Sequence, residues 1–259
     1  HIKNDKLFKL LKKEMEFYMK EEWSFEIVKL FKVLLFIIFI KEIRVGYFKG
    51  FCSSLKSVLK EYKWIIFFYL AAVLLIMKFI DEPVVNFWQT KYFQKRYFYY
   101  PGITGNLLGN GEYLYSGLIV VILIAKIFKK NDLSKRFSLA MVTSVIGGLT
   151  NSFFKAVFKR VRPPVYDIPH AFNFKNITDK LDGDYSMPSG HASVAAAAFF
   201  TLAITEKNKF LKIIYCILPF ITAYARVYFT KHWTSDVSLS ILLGFIFSNV
   251  VYRTHRKKV

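Results

Sequence analysis

The sequence predicts an all-α fold: a six-transmembrane-helix bundle with N-terminal amphipathic, interfacial helices. The prediction rests on three observations. The composition is both apolar and strongly basic, six apolar runs come close to membrane length, and the basic connections fall on one side of those runs.

Of the 259 residues, 54% are hydrophobic and 19% aromatic, yet the formal net charge is +20. A soluble domain rarely combines the two. A membrane protein can, because apolar residues gather in runs and charges collect at their ends. Positive charge alone would suit anionic lipid headgroups or nucleic acid. The apolar runs select lipid, so the membrane is the expected partner and nucleic acid is not. Cys52 lies in the basic N-terminal region and Cys216 inside an apolar run. The two are not expected to meet, which excludes a disulfide framework and a cysteine-type metal site. The first apolar run follows a long charged stretch, so no cleavable signal peptide is expected.

A bilayer core about 30 Å thick needs roughly 17–25 mostly apolar helical residues. Residues 64–80, 113–128, 137–158, 191–205, 210–229 and 237–252 meet or approach that length. The fourth run is short, and its Ala195, Ala196, Ala197 and Ala198 suit close helix packing more than lipid contact. Lys129, Lys130, Lys135 and Arg136 join the second and third runs, Lys207 and Lys209 join the fourth and fifth, and Arg253, Arg256, Lys257 and Lys258 follow the sixth. With six spans, these groups and the lysine-rich N-terminus share one side, which is the cytoplasmic side. The other side carries 81–112, 159–190 and 230–236. The chain thus divides into 1–63, amphipathic membrane-surface helices; 64–252, the six-span core; and 253–259, a basic cytoplasmic tail.

In the first part, Leu7, Leu10, Leu11, Met15, Tyr18 and Met19 recur at helical spacing among lysines and glutamates, the pattern of a helix lying on a membrane surface. The apolar stretch 33–40 is read as interfacial rather than as a seventh span. In 81–112, Phe87, Trp88, Tyr92 and Phe93 interleave with Lys91, Lys95 and Arg96. An aromatic belt at headgroup level explains this as anchoring. A surface that guides an anionic lipid explains it equally, and both readings stay open.

Charges at the ends of spans are expensive and usually functional. Three such clusters fall at the outer face. Lys155 and Arg162 end the third run, nearly two helical turns apart, so both can point the same way, with Pro163 and Pro164 stopping the helix. Ser189, Gly190 and His191 open the fourth run. Ser189 is a good N-cap, Gly190 lets a ligand approach the backbone, and the first-turn N–H groups favour an anion. Arg226, His232 and Asp236 bracket the connection from the fifth run to the sixth. If that connection is helical, Asp236 sits one turn beyond His232 and can orient its ring. Each cluster alone also has a structural explanation: a snorkelling helix end, an ordinary cap, or a His–Asp hydrogen bond.

In this order the clusters resemble the type 2 phosphatidic acid phosphatase superfamily, with its pattern K-x6-R-P, P-S-G-H and S-R-x5-H-x3-D. The matching residues are Lys155, Arg162 and Pro163, then Pro188, Ser189, Gly190 and His191, then Arg226, His232 and Asp236. Ala225 stands where the pattern has serine, a loss of one hydroxyl. The resemblance covers roughly 64–252.

The resemblance implies an integral membrane phosphatase that uses no metal and no other cofactor. Lys155, Arg162 and Arg226, with Ser189 and the Gly190 backbone, would bind phosphate. His232 would attack phosphorus to form a phosphohistidine, Asp236 would hold its tautomer, and His191 would protonate the leaving oxygen and then activate water. The implied substrate is an anionic phosphorylated lipid. Lipid A 1-phosphate is the first expectation, followed by undecaprenyl diphosphate and phosphatidylglycerophosphate. The expected location is the inner (cytoplasmic) membrane of a prokaryote, with the site facing the periplasm, and no obligatory protein partner is implied. A transporter or lipid-phosphate-binding protein would explain charges at span ends, but would not require a His–Asp pair beside a P-S-G-H cap. A vanadium-dependent haloperoxidase shares the anion-binding clusters but is soluble. Asp167, Asp179, Asp182 and Asp184, in 165–187, are read first as part of a solvated lid and alternatively as groups that bind hydroxyls or amines of a particular headgroup, and His170 has no evident partner.

Overall fold

The computed structural model describes residues 45–89, 96–164, 170–175 and 185–256. The chain divides into two units, 1–48 and 49–259, and the second holds the fold described here. The expected surface helix around Leu7–Met19, the run 33–40, and Lys91, Lys95, Asp167, Asp179, Asp182 and Asp184 lie outside the described residues.

The described elements are α1 (Val45–Glu61), α2 (Lys63–Phe79), α3 (Asp81–Gln89), α4 (Arg96–Gly109), α5 (Gly111–Ile127), α6 (Asn131–Phe158), α7 (Gly190–Thr205), α8 (Lys209–Tyr228) and α9 (Thr234–Arg256). The fold is all-α as expected. Its isolated bridge, Arg160 to Phe174, lies outside the helices. The six expected spans are α2 and α5 to α9. Of these, α6, α8 and α9 are long and apolar enough to cross a membrane unaided, and two more spans result if α1–α2, bent by 74°, and α4–α5, bent by 66°, each count as one. The stretch 81–112, read as a connecting loop, is largely helical, as α3 and α4.

Helix starts follow local chemistry. The side chains of Asn110, Ser189 and Asn208 accept first-turn N–H groups of α5, α7 and α8. These bonds satisfy donors that a helix leaves open. The end of α6 departs from expectation. Lys159 adopts a left-handed conformation, φ 47°, and its N–H closes on the Lys155 carbonyl. The helix therefore stops before Pro163, and Arg160 and Arg162 lie beyond it.

Helix α7 has only 16 residues, and its surroundings explain why that suffices. It packs against α6, α8 and α9, and Ala192 and Ala195 to Ala198 have no exposed surface. A Cβ on Gly244 of α9 would lie 2.4 Å from Ala196 Cβ, so the two backbones approach through the missing side chain. The apolar faces left outward belong to other helices: Trp64, Phe68 and Leu74 on α2, and Phe210, Ile213 and Phe220 on α8 are exposed. Such faces suit lipid rather than water.

The amphipathic α4 docks similarly. A Cβ on Gly105 would lie 2.2 Å from the Ile221 carbonyl oxygen of α8. Gly105→Leu should lower the thermal midpoint in detergent, since overpacking costs about 1–3 kcal/mol. Gly117→Leu, where a Cβ meets nothing within 4 Å, should leave the midpoint unchanged or slightly raised. Equal midpoints for the two variants would contradict the packing described.

Candidate active site

The helix directions bring the three clusters to one end of the bundle. The C-termini of α6 and α8 and the N-termini of α7 and α9 lie there. The opposite end holds Arg136 paired with Glu206, and Arg253 bonded to Glu61 at 2.7 Å.

Ser189 opens α7, and its N–H donates to Ser240 Oγ of α9 at 2.9 Å. That hydroxyl also lies 2.8 Å from the Asp236 carbonyl oxygen, so α9 fixes the start of α7. A Cβ on Gly190 would stand 3.4 Å from Asn151 Nδ2, and one on Gly109 would stand 2.9 Å from His191 Cβ. Helix α6 therefore meets the start of α7 at Gly190, and α4 passes close to His191.

His232 is 2% exposed and lies in the turn before α9. The expected one-turn helical relation to Asp236 does not form, because α9 starts at Thr234. His232 Nδ1 lies 2.8 Å from the Ser186 carbonyl oxygen and 3.6 Å from Asp236 Oδ2. A carbonyl can only accept, so Nδ1 carries the proton and the Nε2 lone pair is free. Burial pushes the imidazole from its ordinary 6.5 down to about 4, with Asp236 opposing and Arg226 and Arg162 reinforcing the drop.

The Asp236 carboxylate has further partners. Oδ2 accepts the Trp233 N–H at 2.9 Å, which caps α9. Oδ1 accepts Arg160 Nη1 at 2.7 Å. Arg160, wholly buried, also donates to Asp81 Oδ2 at 2.8 Å, and Asp81 Oδ1 accepts the Ser235 N–H at 2.9 Å. The Ser235 hydroxyl accepts from Arg160 at 2.7 Å and donates to Asp81. Burial raises the Asp81 carboxyl above its ordinary value, and the bonds from Ser235 and Arg160 oppose the rise. Arg160 and Asp81 were not singled out as site residues. The signal was available, since Asp81 is an acid directly after an apolar run and Arg160 is a cation on the side that should be poor in them.

The cations converge. Arg226 donates to Asn106 Oδ1 of α4, and its Nε is buried without a hydrogen bond among the described residues. Arg162 donates to the Lys231 carbonyl at 3.1 Å. Lys155 and Arg162 do not share a helix face, because Arg162 lies in the extended segment after α6. They still reach one centre: the cations acting on His191 include Arg226, Lys155 and Arg162. All eight expected site residues thus fall at this end of the bundle. His170 is exposed. Cys52 and Cys216 are separate thiols. Among the described residues, no three His, Cys, Asp or Glu side chains gather as a metal site would require.

A helical bundle with two histidines among lysine and arginine at one end presents a site complementary to an anion. Residues 136–259, which hold all three motifs, match the model of the PAP2 superfamily. An undecaprenyl-diphosphatase of Sulfolobus acidocaldarius is 32% identical over 136 residues, 51% of this chain and 59% of that protein. A lipid A 4'-phosphatase of Porphyromonas gingivalis is 28% identical over 109 residues, 41% of this chain and 45% of that one. The chain spans about half the length of the curated relatives it matches. A crystal structure of a transmembrane PAP2 type phosphatidylglycerolphosphate phosphatase from Bacillus subtilis superposes with a TM-score of 0.59 at 19% identity, over 76% of this chain and 97% of that one. It shares the fold.

Because the folded His232 value lies below the unfolded one, its contribution to stability is complete above about pH 6.5 and is lost as pH falls toward about 4. NMR titration of labelled histidine in micelles should show His232 with a midpoint near 4. A midpoint at 6.5 would contradict the buried, neutral ring.

Proposed function

We infer that the protein is a metal-independent lipid phosphatase acting through a phosphohistidine, at the extracytoplasmic face of a prokaryotic inner membrane. One observation carries this reading. His232 is buried and neutral, its Nδ1 proton is directed at the Ser186 carbonyl, and Arg226 and Arg162 act on its ring.

The chemistry follows from that arrangement. Lys155, Arg162, Arg226 and the first N–H groups of α7 take up the phosphate charge, a task that metal ions share in other phosphoryl transfers. His232 Nε2 attacks phosphorus as the bond from phosphorus to the lipid oxygen breaks. His191 gives its proton to that oxygen. His191 then takes a proton from water as the water oxygen attacks phosphorus, the phosphorus–Nε2 bond breaks, and His232 returns neutral. On a diphosphate the same steps cleave the anhydride and leave a lipid monophosphate. The basic connections at the opposite end of the bundle support a periplasmic site.

Among substrates, we place undecaprenyl diphosphate first, since the relative of that name aligns at 32% identity. Lipid A phosphates follow, supported by two lipid A 4'-phosphatases among the relatives. Phosphatidylglycerophosphate comes third. Lipid A 1-phosphate, the first expectation from the sequence, has only the extracytoplasmic site and the basic aromatic stretch 81–112 to favour it, and these suit any large anionic lipid.

Purified protein should release phosphate from at least one of these lipids. His232→Ala should lose more than ~100-fold in kcat, beyond what removal of a general acid or base commonly costs. Near-normal turnover in that variant would refute the nucleophile. Saturating EDTA should leave the rate unchanged, and a strict requirement for added magnesium would overturn the metal-independent reading.

A further inference from the structure

Among the described residues, the three motifs leave several buried charged groups unexplained, Asp81 and Arg160 among them. Asp81, wholly buried at the start of α3, faces Arg160, which also holds Asp236. We propose that Asp81 and Arg160 are positioning residues for His232: the pair aligns Asp236 and the Ser186 carbonyl with the ring, and Asp81 keeps the cluster one negative charge in excess. This rests on His232 as the nucleophile.

The alignment is direct. The Arg160 guanidinium holds Asp236 Oδ1 at 2.7 Å, while the Arg160 carbonyl accepts the Ser186 N–H at 2.8 Å. Ser186 in turn presents its own carbonyl to His232 Nδ1 at 2.8 Å. Both acceptors near the imidazole therefore depend on one arginine, at its two ends. Arg160 is itself fixed by the Ala171 carbonyl, at 3.0 Å from Nε, and by the Trp233 ring, 5.0 Å from its Cζ.

The charge balance is the second half. Among the described residues, the hydrogen bonds on the Asp81 oxygens come from donors: the Ser235 N–H, the Ser235 hydroxyl and Arg160. That set matches a carboxylate. Two carboxylates around one guanidinium leave a net negative charge beside His232. When Nε2 bonds to phosphorus and Nδ1 keeps its proton, the ring becomes cationic, and that excess charge stabilises it. Without Asp81, Arg160 would cancel Asp236 and the ring would face only the cations Arg226 and Arg162, with His191 and Lys155 beyond.

The test uses the full chain in detergent. Asp81→Asn should lower kcat by about 10- to 100-fold, the range for groups that orient a reactive ligand from behind, with KM within about twofold. Removing a negative charge should also move the acid limb of kcat/KM to lower pH, and Arg160→Gln should move it to higher pH, each by about a unit. A structural role alone would not produce opposite shifts. If either single variant does not fold, the double variant D81N/R160Q removes the Asp81–Arg160 pair together, leaves Asp236 with the Trp233 N–H and the His232 ring, and keeps the same net charge as the natural chain. Its acid limb should stay in place while kcat remains low. Wild-type kcat in Asp81→Asn, limbs that stay still or move together in the single variants, or a displaced limb or wild-type kcat in the double variant, overturns the proposal. A natural protein that releases no phosphate overturns the nucleophile as well, so the two failures are distinct.

Discussion

Keeping one imidazole dry, neutral and correctly turned is the constraint on which the rest of the site depends. His232 is 2% exposed, and desolvation disfavours its charged form. Buried polar atoms need partners, and the Ser186 carbonyl supplies one for Nδ1. That bond fixes the tautomer. Asp236, held between Arg160 and the Trp233 N–H, stands just behind as a charge rather than as the nearest acceptor. Breaking a buried ion pair on one side costs about 3–5 kcal/mol, so the cluster ties α3, α9 and the segment after α6 together as well as serving the ring.

The bundle explains how chain-distant motifs meet. Alanines along α7 and the glycine at 244 let α7 sink between its neighbours. Its N-terminus then opens among the ends of α6, α8 and α9. The unfilled N–H groups of that first turn and the arginines around it are complementary to an anion. Stability and the proposed chemistry pull in opposite directions here: like charges gathered at one end repel each other, and a bound phosphate would relieve that repulsion.

Much of this was legible in the residues. The six apolar runs correspond to helices α2 and α5 to α9 within a few residues, because span length and charge placement are set by the bilayer itself. The motif residues stood out because the proposed phosphate site would need cations, a cap and a histidine pair, and they do gather at one end of the bundle. What was missed depends on contacts between distant segments. Helical phase linked Lys155 to Arg162 and His232 to Asp236, but Lys159 turns left-handed and α9 begins after His232. The true links run through backbone carbonyls, which carry no sequence signal. Asp81 is 79 positions from Arg160, beyond any local periodicity, and the helical character of 96–109 was hidden by its glycines, Pro101 and tyrosines.

The central claim is that phosphorus is transferred to one ring nitrogen. Rapid quenching of a single turnover at alkaline pH, followed by mass spectrometry of the peptides, tests it most directly. The account predicts an acid-labile phosphoryl group on the peptide that contains His232. Turnover with no phosphorylated peptide at any quench time, or with the group on another residue, would contradict it.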